Sequence, residues 1–258
     1  GVAAIATWIG YAVANWRIAL LVAISMVSFG VFGFWQDSID LLVVTAVSVV
    51  FAVVLGFGFG SWIGISDRAS RYINLGLDLL QTLPTFVYLI PVVILFGVGA
   101  PAAVMCTLAY ALPPIIRISG FGIREVSPAV LEATNSMGQT TWQRLWKVQI
   151  PMARKTIIVG LNQTILAALS MAIIASYVNG PGLGKPVLSA LTRNDFGRGL
   201  VPGLLIVVMG IMLDRTTTAA SERAERVARG GGGNPKKRRM ALGAGLVAVA
   251  IAVWYSTY

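Results

Sequence analysis

The sequence predicts an all-α polytopic membrane protein, and three observations carry that prediction. Of 258 residues, 57% are hydrophobic and only 12% charged, whereas a soluble domain carries about a quarter charged residues. The apolar residues gather into uncharged blocks such as Leu41 to Ile65, long enough to cross a hydrocarbon layer about 30 Å thick. The chain has no histidine and a single cysteine, Cys106. That excludes an intrachain disulfide and argues against zinc or any other nitrogen- or sulfur-ligated metal site. The net charge of +10 reads as loop charge that sets orientation in a membrane rather than as a nucleic-acid footprint.

The elements follow in order. Gly1 to Ala14 is apolar but short, and it lacks the charged region that precedes a signal-peptide core. With no initiator methionine, the chain is expected to begin inside a longer protein. Ile18 to Trp35 is the first convincing span, and a polar connection around Asp37 and Asp40 leads to a second, Leu41 to Ile65. Asp67, Arg68 and Arg71 then introduce a mixed segment, Tyr72 to Gln81, expected at the interface. Pro84 to Val98 and Ala102 to Ile118 are expected to form a helical hairpin about Gly99 to Pro101. Pro91, Pro113 and Pro114 free backbone carbonyls there, which suits helices packed inside a bundle. A polar insert runs from Arg117 to Lys155, followed by a span at Thr156 to Val178. A glycine- and proline-rich loop occupies Asn179 to Gly199, a span Leu200 to Leu213, and a mixed-charge stretch Asp214 to Arg229. Gly230 to Asn234 reads as a flexible linker. Lys236 to Arg239 are all basic, and Met240 to Tyr258 is a last apolar segment ending in interfacial aromatics.

With the polar insert in the cytoplasm, 17 of the 20 Lys and Arg residues fall inside, leaving Lys185, Arg193 and Arg198 outside. The positive-inside tendency selects that orientation. It implies about seven to eight membrane helices, depending on whether Gly1 to Ala14 spans. The assigned spans contain no Asp, Glu or Lys, and Arg117 lies at an end. Ion-coupled carriers place ionisable groups within their spans, so energy is expected to enter from a partner.

The insert has the chemistry of two short helices. Ser127 and Pro128 suit an N-cap and first turn, which starts a helix running to Met137. Gly138 can adopt the left-handed conformation that ends it. Thr140 and Gln143 have capping-box spacing, and the second helix is expected to stop at Pro151. Trp142, Leu145 and Trp146 share one of its faces, with Arg144 and Lys147 off it. Those tryptophans either pack back onto the chain's own membrane helices or serve a partner.

Glu132, Ala133 and Thr134, then Gly138, then Val148, Ile150 and Pro151, resemble the EAA loop of permease subunits of binding-protein-dependent ABC importers. The substitutions relative to the family pattern are mild and the spacing is intact. Leu77 to Pro91, Ala111 to Arg117, Gly160 to Thr164 with Ala168 to Met171, and Gly182 to Gly184 are similar to the glycine betaine/proline branch of that family. The similarity covers about Phe29 to Ala224.

The resemblance implies a type I ABC importer transmembrane domain with a cytoplasmic coupling helix, in the inner membrane of a prokaryote. Residues 1–35 would be N-terminal membrane segments, 36–229 the permease core with its EAA loop at 125–151, 230–239 a basic linker and 240–258 an extra helix. It further implies a second permease copy, two cytoplasmic ATPase subunits that bind ATP and Mg, and an extracytoplasmic substrate-binding protein or fused domain. The permease itself would hydrolyse nothing and hold no cofactor. Glu132, Ala133, Thr134, Gly138, Arg144, Lys147 and Pro151 would form the ATPase-coupling site. The solute would be a quaternary amine such as glycine betaine, with trimethylamine oxide, choline or histidine as alternatives. Candidates for the pathway lining are Thr85, Tyr88, Asn162, Gln163, Ser170 and Met171, with the two amides favoured because an unsatisfied amide in a membrane is costly. The natural chain is expected to continue past Tyr258 into an extracytoplasmic binding domain.

Overall fold

The computed structural model describes residues 2–13 and 15–228, and every regular element among them is helical. The linker and the apolar segment expected at 230–258 lie outside the described residues. The helices are α1 (Val2–Val13), α2 (Trp16–Val31), α3 (Trp35–Ile65), α4 (Asp67–Thr82), α5 (Thr85–Phe96), α6 (Ala100–Arg124), α7 (Pro128–Ser136), α8 (Thr141–Arg144), α9 (Ile150–Tyr177), α10 (Gly184–Thr192) and α11 (Phe196–Ala228). A π-turn, Leu145–Gln149, joins α8 to α9. The contacts divide the described residues into two units, one combining the N-terminal segment through Trp35 with residues 200–228, the other Gln36–Gly199.

In the first unit α1 and α2 approach closely where a Cβ on Gly10 would lie 3.2 Å from Val22. The Arg223 guanidinium donates to the Ala12 carbonyl at 3.0 Å, a cation satisfying the open carbonyls of a helix end. α11 is one unbroken helix through Pro202 and the mixed-charge stretch after Leu213.

The second unit is built on a seam between α3 and α6. A Cβ on Gly56 would fall 2.2 Å from Ile115, one on Gly60 2.0 Å from the Ser119 hydroxyl, and one on Gly64 2.5 Å from Ile123. Each step of four residues on α3 matches four on α6, so the helices run parallel. Small residues every fourth position let membrane helices approach to backbone contact. Ala52 meets Ala111 and Ala168 on the same line, and the Ser48 hydroxyl donates to the Val104 carbonyl at 3.2 Å. α9 packs antiparallel on α6, with Gly122 against Thr156 and Gly160 against Ile118. α4 buries Leu77 with Ile63, Ile115 and Ile116, and α5 leaves it at a 98° bend around Pro84.

Among the described residues four helices are long and apolar enough to cross a membrane: Trp35–Ile65, Ala100–Arg124, Thr141–Tyr177 and Phe196–Arg223. The bent α4–α5 pair makes a fifth if it is one span, and α1 and α2 are shorter apolar helices. Several expected boundaries move. The helix begun at Thr141 does not stop at Pro151 but continues to Tyr177. Proline lacks the N–H and clashes with the carbonyl four residues back. Here the preceding π-turn widens the ladder, and the Ile150 N–H bonds to the Leu145 carbonyl. Helices also overrun the hydrocarbon blocks. Asp37 and Asp40 lie in the first turns of α3, and α6 runs on to Arg124, so Arg117 is inside the helix rather than at its end. The loop expected at Asn179 to Gly199 contains α10.

Candidate coupling site

The polar insert folds as an elbow whose turns are closed by backbone and capping hydrogen bonds, although Gln139 Oε1, Arg144 Nε and Gln149 Oε1 are buried without a partner. α7 starts at Pro128, but the Ser127 hydroxyl makes no capping bond, contrary to expectation. The Ser127 carbonyl instead accepts from the Val130 and Leu131 N–H groups at 3.0 and 3.2 Å, so the proline and the backbone suffice to begin the helix. At the other end Gly138 has φ +71°. Its N–H donates to the Asn135 carbonyl at 2.9 Å and the Gln139 N–H to the Thr134 carbonyl at 3.3 Å, the paired bonds of a Schellman ending. One residue later Thr140 accepts from the Gln143 N–H at 3.3 Å, and the Gln143 side chain accepts from the Thr140 N–H at 3.0 Å. This is the expected capping box.

Two further contacts lock the angle. Arg144 Nη1 donates to Asn135 Oδ1 at 2.7 Å, a strut from α8 back to α7. Leu145 is fully buried with Ile123 and Ala153, and Gln149 donates to the Ile123 carbonyl at 3.3 Å. The elbow is thereby clamped to the cytoplasmic end of α6 under the expected orientation. That end is itself tied down: Arg124 donates to the Ile63 carbonyl at 2.7 and 2.9 Å, to the Ser66 carbonyl at 3.1 Å and to Asp67 at 2.8 Å. One guanidinium thus joins the end of α3, the start of α4 and the approach to α7. Seven residues earlier on α6, Arg117 pairs with Asp78 of α4.

Of the expected coupling residues, Glu132, Ala133, Gly138, Lys147 and Pro151 are exposed. Thr134 is not. It is 4% exposed and its hydroxyl donates to the Leu131 carbonyl, so it packs the inner side of α7 and is unavailable to a docking partner. Arg144 spends part of its guanidinium on Asn135. The tryptophans pack away only in part: Trp146 meets Phe57 of α3 with ring centroids 6.2 Å apart, yet Trp142 is 63% and Trp146 48% exposed, and only Leu145 of that face is buried.

The six expected pathway residues are not brought to one surface. Met171 is fully buried and Tyr88 nearly so, so both are packing residues in this chain, whose tight helix contacts leave them no open side. Thr85 and Asn162 are half-buried, and Gln163 and Ser170 are exposed. Ser170 satisfies its hydroxyl on the Leu166 carbonyl at 3.0 Å, while Asn162 Oδ1 is buried with no hydrogen-bond partner. The exposed positions fall on one stripe of α9, Lys155, Val159, Gln163, Leu166 and Ser170, at helical spacing. Asp67 and Arg117 are legible in the sequence only as charges near span ends; their pairing with Arg124 and Asp78 is not.

Several helices long and apolar enough to cross a membrane, with a braced, exposed elbow between two of them, are the architecture of a multi-pass membrane protein. The chain belongs to the binding-protein-dependent transport system inner membrane component family, which it matches across residues 48–226. It is 39% identical over 218 residues to the glycine betaine/carnitine transport permease protein of Listeria monocytogenes, covering 84% of this chain and 77% of that protein. It is 40% identical over 215 residues to the glycine betaine transport system permease protein of Bacillus subtilis, covering 83% and 75%. The fold is similar to that of the MetNI methionine ABC transporter in an inward-facing conformation, at TM-score 0.62 and 20% identity, covering 75% of this chain and 93% of that one.

Proposed function

We propose that this permease carries a compatible solute, glycine betaine or a related quaternary amine, and that two copies form the pathway of an ATP-driven importer. The observation that carries the coupling part is the elbow: a Schellman ending, a single connecting residue and a capping box, braced by Arg144 on Asn135. A short element held this rigidly transmits a rigid-body displacement to the helices behind it. It presents Glu132, Ala133 and Lys147 for helix-in-groove docking on a cytoplasmic ATPase, which binds ATP and Mg and does the hydrolysis. Gly138 and Pro151 shape the turn and the exit from it. An extracytoplasmic binding protein or fused domain delivers the solute, and the exposed stripe of α9 with Gln163 and Ser170 lines its path. The solute class is supported by the names of both relatives.

The test is the complete importer in proteoliposomes, assayed for ATP hydrolysis and uptake with each solute in turn. Glycine betaine is expected to stimulate hydrolysis and to accumulate only with ATP. Stimulation by trimethylamine oxide, choline or histidine alone would transfer the assignment to that solute, and uptake driven by an ion gradient without ATP would reject the importer class. Orientation is tested by cysteines at Ser127 and Ser221, expected to react with an impermeant thiol reagent only from the cytoplasm, and at Ser189, only from outside. The native Cys106 is buried.

A further inference from the structure

α3 carries an exposed stripe of Val43, Val47, Val50 and Val54, each between 38% and 67% exposed. Their spacing of three or four residues places them on one face, with no charge among them. In an inner-membrane protein such a face looks into hydrocarbon. The stripe does not end at the helix. The next residue along it, Phe57, meets Trp146 of the elbow edge to face with ring centroids 6.2 Å apart, and Trp146 meets Trp142 in the same manner at 5.6 Å. One apolar surface therefore runs from a spanning helix onto the elbow and terminates in two exposed indoles.

The depth agrees. α3 has 31 residues, about 46 Å at ~1.5 Å per residue, so it overhangs a ~30 Å core by roughly 8 Å at each end if centred. Phe57 lies about 12 Å from the Ile65 end by the same rise, just inside the hydrocarbon boundary. Trp146 then sits at that boundary and Trp142 one turn outward, where indole rings concentrate with the apolar ring in hydrocarbon and the N–H among headgroups.

We infer that Trp142 and Trp146 seat the second half of the elbow in the lipid headgroup interface, so that the occupant of this face is the membrane and not the ATPase. The elbow then has two differently held ends. The α8 end is fixed in the membrane plane, which moves Lys147, next to Trp146 in the π-turn, from the ATPase to the headgroups, while the α7 end, with Glu132, Ala133 and Gly138, is left to the protein partner. This goes beyond the importer reading and does not depend on the solute.

The test places an environment-sensitive fluorophore on W142C, and separately on M137C at the exposed Gly138 turn, with C106A in both, in the complete importer. Each is reconstituted in phosphatidylcholine vesicles with and without lipid bearing a nitroxide near the headgroup. The label at 142 is expected to be quenched several-fold more strongly by nitroxide lipid than the label at 137, and equally with or without the ATPase subunits. Strong quenching of 142 by aqueous iodide that disappears on adding the ATPase would overturn the inference and assign the face to that subunit. Insensitivity of 142 to both quenchers would overturn it in favour of burial against a second copy. Nitroxide quenching of 142 in an importer without transport would uphold the lipid contact while the importer reading failed, so the two are separable.

Discussion

Gly60 and Gly138 are the same residue serving opposite needs, and the two regions they belong to differ accordingly. In the α3–α6 seam Gly60 has ordinary helical torsions and no room: a Cβ would lie 2.0 Å from the Ser119 hydroxyl and 3.0 Å from the Ile116 carbonyl. At the elbow Gly138 has nothing within 4 Å of where a Cβ would stand, but its φ of +71° is one that side chains resist. The seam selects glycine by steric exclusion between two helices, the elbow by local torsion. A seam substitution therefore strikes the whole second unit, whereas an elbow substitution is felt within two turns of chain.

The largest effect is expected at the seam. Gly60→Val places two methyl groups against α6, where the obstacles include the Ile116 backbone carbonyl, which cannot rotate away, and overpacking costs about 1–3 kcal/mol, the upper end being expected here. The variant is expected to yield little monodisperse protein from detergent extracts and a markedly lower melting temperature. Gly58→Ala is the matched control. Gly58 has nothing within 4 Å, and replacing an exposed helical glycine by alanine gains about 0.5–1 kcal/mol. Equal damage from both variants would break the steric account of the seam.

Next in size is the joint between the two regions. Arg124→Ala removes a charged donor from the Ile63 and Ser66 carbonyls, and hydrogen bonds to charged groups contribute about 1.5–3 kcal/mol. The side chain is about one-third exposed, so a loss near the lower end, about 1.5–2 kcal/mol, is expected. Asp67→Asn is expected to change stability by less than about 0.5 kcal/mol, because Asp67 is 94% exposed and exposed ion pairs are weak. Thermal unfolding of the two variants side by side decides whether Arg124 acts as a helix cap or as a salt bridge.

At the elbow, Gly138→Val forces a β-branched residue into the left-handed region at about 1–2 kcal/mol. The protein should still insert, extract and melt close to wild type, while ATP-driven uptake in proteoliposomes falls severalfold. Undiminished uptake would show that the elbow does not couple.

The sequence revealed the elbow far better than the seam, for a physical reason. Gly138, Thr140 and Gln143 act through bonds spanning three to five residues, so their spacing alone specifies the turn, and the coordinates match it. Gly56, Gly60 and Gly64 act on residues some sixty positions away, and their period of four can be read only as a face prepared for some other helix. Pro151 misled because a local rule was applied to a local sequence, while the compensation lay in the π-turn just before it. Thr134 misled differently: family position suggested a contact residue, but its side chain is buried on the inner side of α7 and its hydroxyl is spent on the Leu131 carbonyl. The paired charges Arg124 with Asp67 and Arg117 with Asp78 each need two helices brought together, and neither pair has a local signature.

The smallest effect sharpens the elbow's side of the comparison. Thr140→Ala deletes one arm of the capping box, the acceptor for the Gln143 N–H, and the loss of such a cap costs about 1 kcal/mol. The site is exposed, so water replaces the missing acceptor and global stability should drop by no more than that. The strut from Arg144 to Asn135 and the burial of Leu145 remain, and they hold α8 even when its first turn frays. Hydrogen exchange should therefore quicken at the Gln143 amide with little change at Leu145 and beyond, and uptake should fall less than for Gly138→Val. Thr140→Ser, which keeps the acceptor, should restore slow exchange. If Thr140→Ala instead loosens the chain through the π-turn, the clamp made by Leu145 and Gln149 depends on the cap, and the elbow is a single cooperative unit rather than a turn set between two independently anchored helices.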